Sequence, residues 1–210
     1  MNNTIELIGH YGGDKTHALS AWTSTYRNLT PDKEQRIPEL LLMLASAGHH
    51  TPFEKSALHF LIRCDDATHI HLLKHRVGVS INAESARYKE LKEPTCYIPD
   101  DWPEKDQDLL QRYFNNAAEN YQTMIEELTP TLGRKRAKES ARYFLPKSNQ
   151  LTLDVMFNWR SFAHFLGLRY KTDAQKEIYD LAEKSLDLVR SIDNNPFEAT
   201  IRSFGYQYSL

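Results

Sequence analysis

Cysteine is almost missing from this sequence: Cys64 and Cys96 are the two in 210 residues, with no CxxC pair and no zinc-ribbon spacing. A disulfide framework is therefore not what stabilises the chain, and a reducing cytoplasm is the expected compartment. Long apolar runs are lacking too. No stretch approaches the roughly 20 apolar residues of a membrane-spanning helix. The opening MNNTIELIGHYGGDK has no basic region followed by an apolar core, so neither membrane association nor a secretory leader is expected. Charge of one sign is absent in excess: 26 Lys and Arg stand against 28 Asp and Glu, a formal net charge of −2. A nucleic-acid binder advertises a basic surplus, so nucleic acid is not an expected partner. Repeats, low-complexity segments and linkers are also lacking.

What is present is the composition of an ordinary globular protein, 40% apolar and 26% charged. The length fits a single domain spanning residues 1–210. Thr4 to Ile8 reads as a strand closed at Gly12–Gly13, with Asp14 placed to cap a helix running through Trp22 and Tyr26. Glu39 to Ala47 reads as a helix stopped by Gly48, and SALHFLIRC, Ser56 to Cys64, as a strand. Residues 66 to 76 look helical. The strongest helical pattern runs from Lys105 to Leu128, where Leu109, Leu110, Tyr113, Phe114, Ala117, Tyr121, Met124, Ile125 and Leu128 recur as a broad apolar face and Pro130 marks the end. A further helix carries Arg134 to Tyr143, and Leu151 to Phe157 alternates as a strand. Thr172 is placed to cap the last long helix, with Ala174, Ile178, Leu181, Ala182 and Leu188 on one stripe. The expected fold class is α+β, helices around a small sheet.

Three clusters carry the chemistry. Lys74 to Lys92, KHRVGVSINAESARYKELK, gathers cationic forks, hydroxyls and an amide, a set suited to a phosphate and a heterocycle. On local chemistry alone the same segment also reads as a solvated helix–loop–helix surface. NWRSFAHFLGLRY, Asn158 to Tyr170, holds Arg160 and Arg169 on either side of a packed apolar stretch, so both point predictably. Structural ion pairs with Asp173 or Glu177 are the alternative there. GHHTPFE, Gly48 to Glu54, places His49 and His50 at a junction between elements.

Together these segments resemble the flavin-dependent thymidylate synthases. That family's signature is Arg-His-Arg, seven or eight residues, then Ser with Arg-Tyr after. Here it reads Lys74-His75-Arg76, eight residues, Ser85-Ala86-Arg87-Tyr88. GHHTPFE resembles the family's earlier His-x-Thr-Pro-Phe-Glu, and Arg142-Tyr143-Phe144-Leu145-Pro146 its Ala-Arg-x-x-Leu-Pro. Asn158-x-Arg160-Ser161, Phe165-Leu166-x-Leu168-Arg169 and Ala174-Gln175-x-Glu177-Ile178 follow in family order. Several ordered elements are far more specific than one.

The resemblance implies reductive methylation of dUMP to dTMP, with methylenetetrahydrofolate giving the carbon and NADPH giving hydride through FAD. It implies a homotetramer whose active sites draw on several subunits. Carried over by motif, Ser24, His49, Thr51, Lys74, His75, Arg76, Val77, Asn82, Asn158, Arg160, His164 and Leu168 would surround FAD. His71, Ser85, Arg87, Arg142 and Arg169 would hold dUMP. Arg169 and Ser85 are the positions assigned to catalysis. Arg169 would meet the uracil edge, where negative charge develops on reduction. Ser85 would act by binding, since Asn82, Glu84 and Arg87 give it no Ser-His pair. Neither cysteine looks like the thiolate of the cysteine-dependent thymidylate synthases, and packing is the reading for both.

Three departures from the pattern stand out. Lys74 replaces the family's usual Arg, keeping charge but losing the planar fork. One extra residue lies between Arg76 and Ser80, and Ala83 follows Asn82 where Glu is common, with Glu84 one place later. Rival readings stay open at this level. His69, His71 and His75 are close enough in sequence for a metal-dependent hydrolase, although Leu72 stands where the zincin pattern wants Glu. A nucleotide or RNA-binding module using Lys74, Arg76 and Arg87, and a family member that binds FAD and nucleotide without turnover, are the others.

Overall fold

A computed structural model describes residues 2–85 and 90–207. It is a mixed α+β fold, as the sequence predicts. Four strands, β1 (Thr4–Tyr11), β2 (Ala57–Asp65), β3 (Val79–Ala83) and β4 (Gln150–Phe157), form a sheet in the order β1-β2-β4-β3. The helices are α1 (Asp14–Trp22), α2 (Pro31–Gln35), α3 (Ile37–Ser46), α4 (Asp66–Leu72), α5 (Glu104–Leu132), α6 (Arg134–Ala141), α7 (Trp159–Arg169), α8 (Lys176–Arg190) and α9 (Glu198–Ser203). Period-two burial is clean in the inner strands. Leu58, Phe60, Ile62 and Cys64 of β2 and Leu153, Val155 and Phe157 of β4 are buried, while Leu61, Asp154 and Met156 are exposed.

The chain divides into two compact units, each taken by itself below. The first comprises the described residues of Met1–Thr4, Ile62–Lys74 and Asn82–Leu153. Its largest element, α5, buries Phe114, Ala117, Tyr121 and Ile125 and packs against α6. Tyr121, Ile125 and Ala141 form a core on which Leu91, Met124 and Leu145 close. The loop at Leu91 is tied to this helix: Leu91 N–H donates to the Tyr121 hydroxyl at 3.2 Å, and Gln122 Nε2 donates to the Leu91 carbonyl at 2.6 Å. The expected stop at Pro130 is displaced. The helix runs on to Leu132 because a proline in the last turn removes one hydrogen bond only, and Gly133, at φ 75°, supplies the break. The helix expected through Tyr143 closes at Ala141 and tightens into a 3₁₀ turn, Arg142–Phe144.

The second unit comprises the described residues of Ile5–Leu61, His75–Ile81 and Asp154–Leu210. Its core is aromatic. Trp159 stacks on Phe197 with ring centres 5.6 Å apart, Phe53 meets Phe204 edge-on at 4.9 Å, and Phe162 bridges Phe60 and Phe165. Each such ring contributes on the order of 2–3 kcal/mol by burial. Asp14 does not cap α1, whose N-cap is Gly13. It caps α9 instead, accepting from the N–H groups of Ala199 and Thr200 at 2.8 Å and from the Thr200 hydroxyl at 2.5 Å. The acceptor pairs with a helix 185 residues away because Asp14, already inside α1, points its side chain out of that helix. His17, fully buried, lies 3.0 Å from Thr200 Oγ1 through Nδ1. Since the Thr200 hydroxyl donates to Asp14, Nδ1 of His17 is the donor in that pair.

Two further expectations are corrected. Thr172 does not cap the last long helix; α8 begins at Lys176 with Gln175 at its N-cap. Part of the polar segment after Lys74 is strand β3, because Val79, Ile81 and Ala83 alternate half-buried against exposed or part-exposed Ser80 and Asn82.

Candidate active site

Each unit holds a cleft lined by residues that the sequence singles out. In the second unit the cleft has a volume of about 780 Å³, within the range of cofactor pockets. Its architecture starts at Gly78, which sits at φ 71° in the turn before β3. A Cβ there would come within 2.7 Å of Asn158 Nδ2 and 3.2 Å of Ser161 Cβ, so the close approach requires glycine. Asn158 caps α7: its Oδ1 accepts from Ser161 N–H at 2.9 Å, while Ser161 Oγ donates to the Gly78 carbonyl at 2.8 Å. These bonds, with that from Trp159 N–H to Ser56 Oγ, fix the N-terminus of α7 and its positive dipole end beside Arg160.

Arg160 pairs with Glu54 at 2.5 Å, but both side chains are substantially solvated. An exposed pair of this kind is worth about 0–1 kcal/mol, so the guanidinium is easily drawn to a phosphate. His50 and His164 supply ring faces, and Val77, Leu168 and Phe204 an apolar wall. Val77 is 90% exposed at the edge of this wall. A positive helix end, an arginine, two imidazoles and an apolar wall suit a dinucleotide carrying an aromatic ring system. The donor set and the glycine cradle thus fit a flavin nucleotide.

The sequence-predicted flavin residues are only partly gathered here. Val77, Asn158, Arg160, His164 and Leu168 line the cleft. His49 and Thr51 flank His50 in sequence and are exposed, as are Ser24, Lys74, Arg76 and Asn82. Ser24 donates to the Ala21 carbonyl at the end of α1. His75 is buried, 5% exposed, and accepts at Nε2 from Arg169 Nε at 3.1 Å. The cleft also contains His50, Glu54, Gly78, Ser161 and Phe204, which motif reading did not assign to it. His50 and Glu54 lie inside GHHTPFE and were within reach of that reading. Phe204 comes from a segment without any polar signal.

In the first unit a cleft of about 520 Å³ collects Ser85 and Arg142 from the predicted nucleotide set. Arg142 is held out to solvent by the 3₁₀ turn that follows α6, and Lys147 adds a second cation. Glu84 and Ser85 follow β3 directly. The Glu84 N–H donates to the Thr152 carbonyl at 2.9 Å, and its carboxylate accepts from the Thr152 N–H at 3.0 Å. The Glu84 carboxylate therefore continues the β3–β4 ladder and fixes where Ser85 stands. Asp66 pairs with Lys147 and lies 3.5 Å from His69. His69 beside it, and then the bond from Lys147, hold its carboxyl down at about 2 against the opposing effect of burial.

His71, on α4, is half-buried and outside this cleft, and Arg169 belongs to the other unit. Arg87 lies outside the described residues. The histidines of the metal alternative are not brought together: His69 sits by Asp66, and His75 by Arg169. Among the described residues no group of three or more His, Cys, Asp or Glu converges on one point. Both cysteines are buried, and burial pushes their thiols up, so neither is an activated nucleophile. No helix among the described residues is long and apolar enough to cross a membrane.

Comparison with known proteins follows the same lines. The family model described as thymidylate synthase complementing protein matches residues 6–193. The flavin-dependent thymidylate synthase of Pseudothermotoga lettingae is 30% identical over 208 residues, covering 97% of this chain and 91% of the relative. That of Streptomyces avermitilis is 28% identical, covering 89% and 82%. Among solved structures, PolB, a UMP/dUMP methylase from Streptomyces cacaoi bound with 5-Br dUMP, superposes with a TM-score of 0.78 at 26% identity. The alignment covers 97% of this chain and 94% of PolB. With its motifs in family order and a family model matching most of its length, the chain belongs to the flavin-dependent thymidylate synthases.

Proposed function

We propose that this protein converts dUMP to dTMP, taking a methylene group from methylenetetrahydrofolate and reducing equivalents from NADPH, with FAD as the bound cofactor. The observation that carries the reading is the sorting of motif residues into two clefts. Val77, Asn158, Arg160, His164 and Leu168 of the flavin set line the cleft at the N-terminus of α7, and Ser85 and Arg142 of the nucleotide set line the other. When bound, the flavin supplies the hydride chemistry.

The chain's own residues do the rest by binding and electrostatics. The α7 N-terminus and Arg160 hold a phosphate through the positive end of the helix dipole and a guanidinium fork. Asn158, Ser161 and Gly78 keep that helix end in place. Arg142 and Lys147 attract the nucleotide phosphate, and Ser85 donates a hydroxyl to it. Arg87 joins them, and Arg169 polarises the uracil edge, on the strength of the family resemblance. For Ser24, His49, Thr51, Lys74, Arg76, Asn82 and His71 the resemblance is likewise the support. We further propose one functional domain over residues 1–210, a cytoplasmic location, and a homotetramer whose subunits share active sites. The family resemblance is the support for that sharing.

The purified protein tests the cofactor directly. The expected result is a yellow protein with one flavin per chain, bleached by NADPH. Colourless protein that fails to bind added FAD contradicts the reading.

A further inference from the structure

Arg169 is partly buried, and among the described residues its hydrogen-bond partner is an imidazole rather than a carboxylate. Its Nε donates to His75 Nε2 at 3.1 Å. The nitrogen that accepts this bond carries no proton, so the proton of the neutral ring lies on Nδ1. The ring is itself held. It meets Phe165 edge-on with centres 5.1 Å apart and His164 at 6.0 Å, and the residue is 5% exposed. Phe165 and Arg169 are one helical turn apart on α7, so His75 lies along that helix, packed on one turn and bonded to the next.

The chemistry of this choice of partner is specific. A carboxylate would hold the guanidinium and also cancel its charge. A neutral imidazole holds one edge, through Nε, and leaves the positive charge uncompensated. The two terminal nitrogens remain as an end-on fork for paired acceptors on a planar ligand.

We infer that His75 is a positioning residue for Arg169: its Nε2 orients the guanidinium toward the pyrimidine without neutralising it. This assignment rests on the proposed thymidylate synthase activity, and it gives His75 a role other than the flavin contact that motif reading implies. Misplacing a group of this kind by about an ångström lowers turnover by about a hundredfold.

Three substitutions separate the possibilities. His75→Phe keeps the ring and removes the acceptor. His75→Gln restores a neutral acceptor, and His75→Glu restores an acceptor that cancels the charge. Each is assayed for flavin content, melting temperature, kcat and KM for dUMP, beside Arg169→Ala and the His75→Phe/Arg169→Ala double variant. The Arg169 Nε–H resonance is followed by ¹H–¹⁵N NMR in the same proteins. We expect His75→Phe to keep flavin and fold while kcat falls about ten- to a hundredfold, with the Arg169 resonance losing protection. His75→Gln recovers both kcat and resonance; His75→Glu recovers the resonance alone. The double variant is no slower than Arg169→Ala. The inference is overturned if folded His75→Phe turns over normally, if the double variant's losses multiply, or if His75→Phe sheds flavin with turnover per bound flavin unchanged. An inactive wild-type protein whose Arg169 resonance still depends on His75 would instead remove the proposed reaction and leave the contact intact.

Discussion

At the scale of single residues, burial decides role in ways that sequence adjacency conceals. Lys74, His75 and Arg76 are consecutive and polar, yet Lys74 and Arg76 are exposed while His75 is buried against α7. The sequence marks all three as binding residues; the packing of His75 on Phe165, ninety residues on in the chain, has no local signature. Arg142 is the opposite case. Its motif singles it out, and the structure holds it exposed at the rim of a cleft shared with Ser85 and Lys147. Arg142→Ala is therefore expected to weaken dUMP binding by about 1–3 kcal/mol, the range for a charge-assisted hydrogen bond, with flavin content and melting temperature close to wild type. Titration calorimetry with dUMP checks this; equal affinity in the two proteins removes Arg142 from the site.

At the scale of elements, the clefts depend on how helix ends are tied down. Asn158 was legible as a motif residue, and the strand before it as an alternating run. Its work as the N-cap of α7 is a bond to Ser161 N–H, and the tie from Ser161 Oγ to the Gly78 carbonyl has no signal in the sequence. Gly78→Ala would force a left-handed φ on alanine and push against Asn158. The expected cost is about 2 kcal/mol of stability with weaker flavin retention, read by thermal melting and flavin stoichiometry. Wild-type values on both would contradict the capping account.

The anchor between α1 and α9 supplies a pH test. Burial depresses His17 from its ordinary 6.5 to about 3. Above 6.5 neither folded nor unfolded chain protonates it and it contributes no pH dependence. As pH falls toward 3 the unfolded chain takes up a proton that the folded chain refuses, so stability is lost. The slope is at most about 1.4 kcal/mol per pH unit. Asp14, raised by burial, works in the other direction, losing stability as pH rises above its ordinary 3.8. Comparing wild type with His17→Phe isolates the histidine, because both proteins keep Asp14. Denaturant melts between pH 4 and 7 should show a shallower acid loss in the variant. Parallel curves would mean that His17 is protonated in the native state. This anchor was not legible in sequence: Asp14 stands where a cap for α1 belongs, and its true partners are the N–H groups of a helix near the other end of the chain.

At the scale of the whole molecule, the order of motifs carried more than any local pattern. Composition gave an ordinary globular chain, and periodicity gave the α5 and β4 elements within a few residues. The boundary between the two units falls within each of the four strands, which no boundary signal in the sequence marks. Val77, Asn158, Arg160, His164 and Leu168 on the one hand, and Ser85 and Arg142 on the other, come to line two clefts only when the chain folds. Membership of the flavin-dependent thymidylate synthases then turns those clefts into a specific claim about chemistry.

Release of tritium from dUMP labelled at uracil carbon five tests that claim most directly. The protein is incubated with FAD, NADPH and methylenetetrahydrofolate, and with each omitted in turn. The account predicts release into water with formation of dTMP in the complete mixture, and loss of dTMP when methylenetetrahydrofolate or NADPH is left out. A protein that holds FAD and binds dUMP yet forms no dTMP in the complete mixture would contradict it.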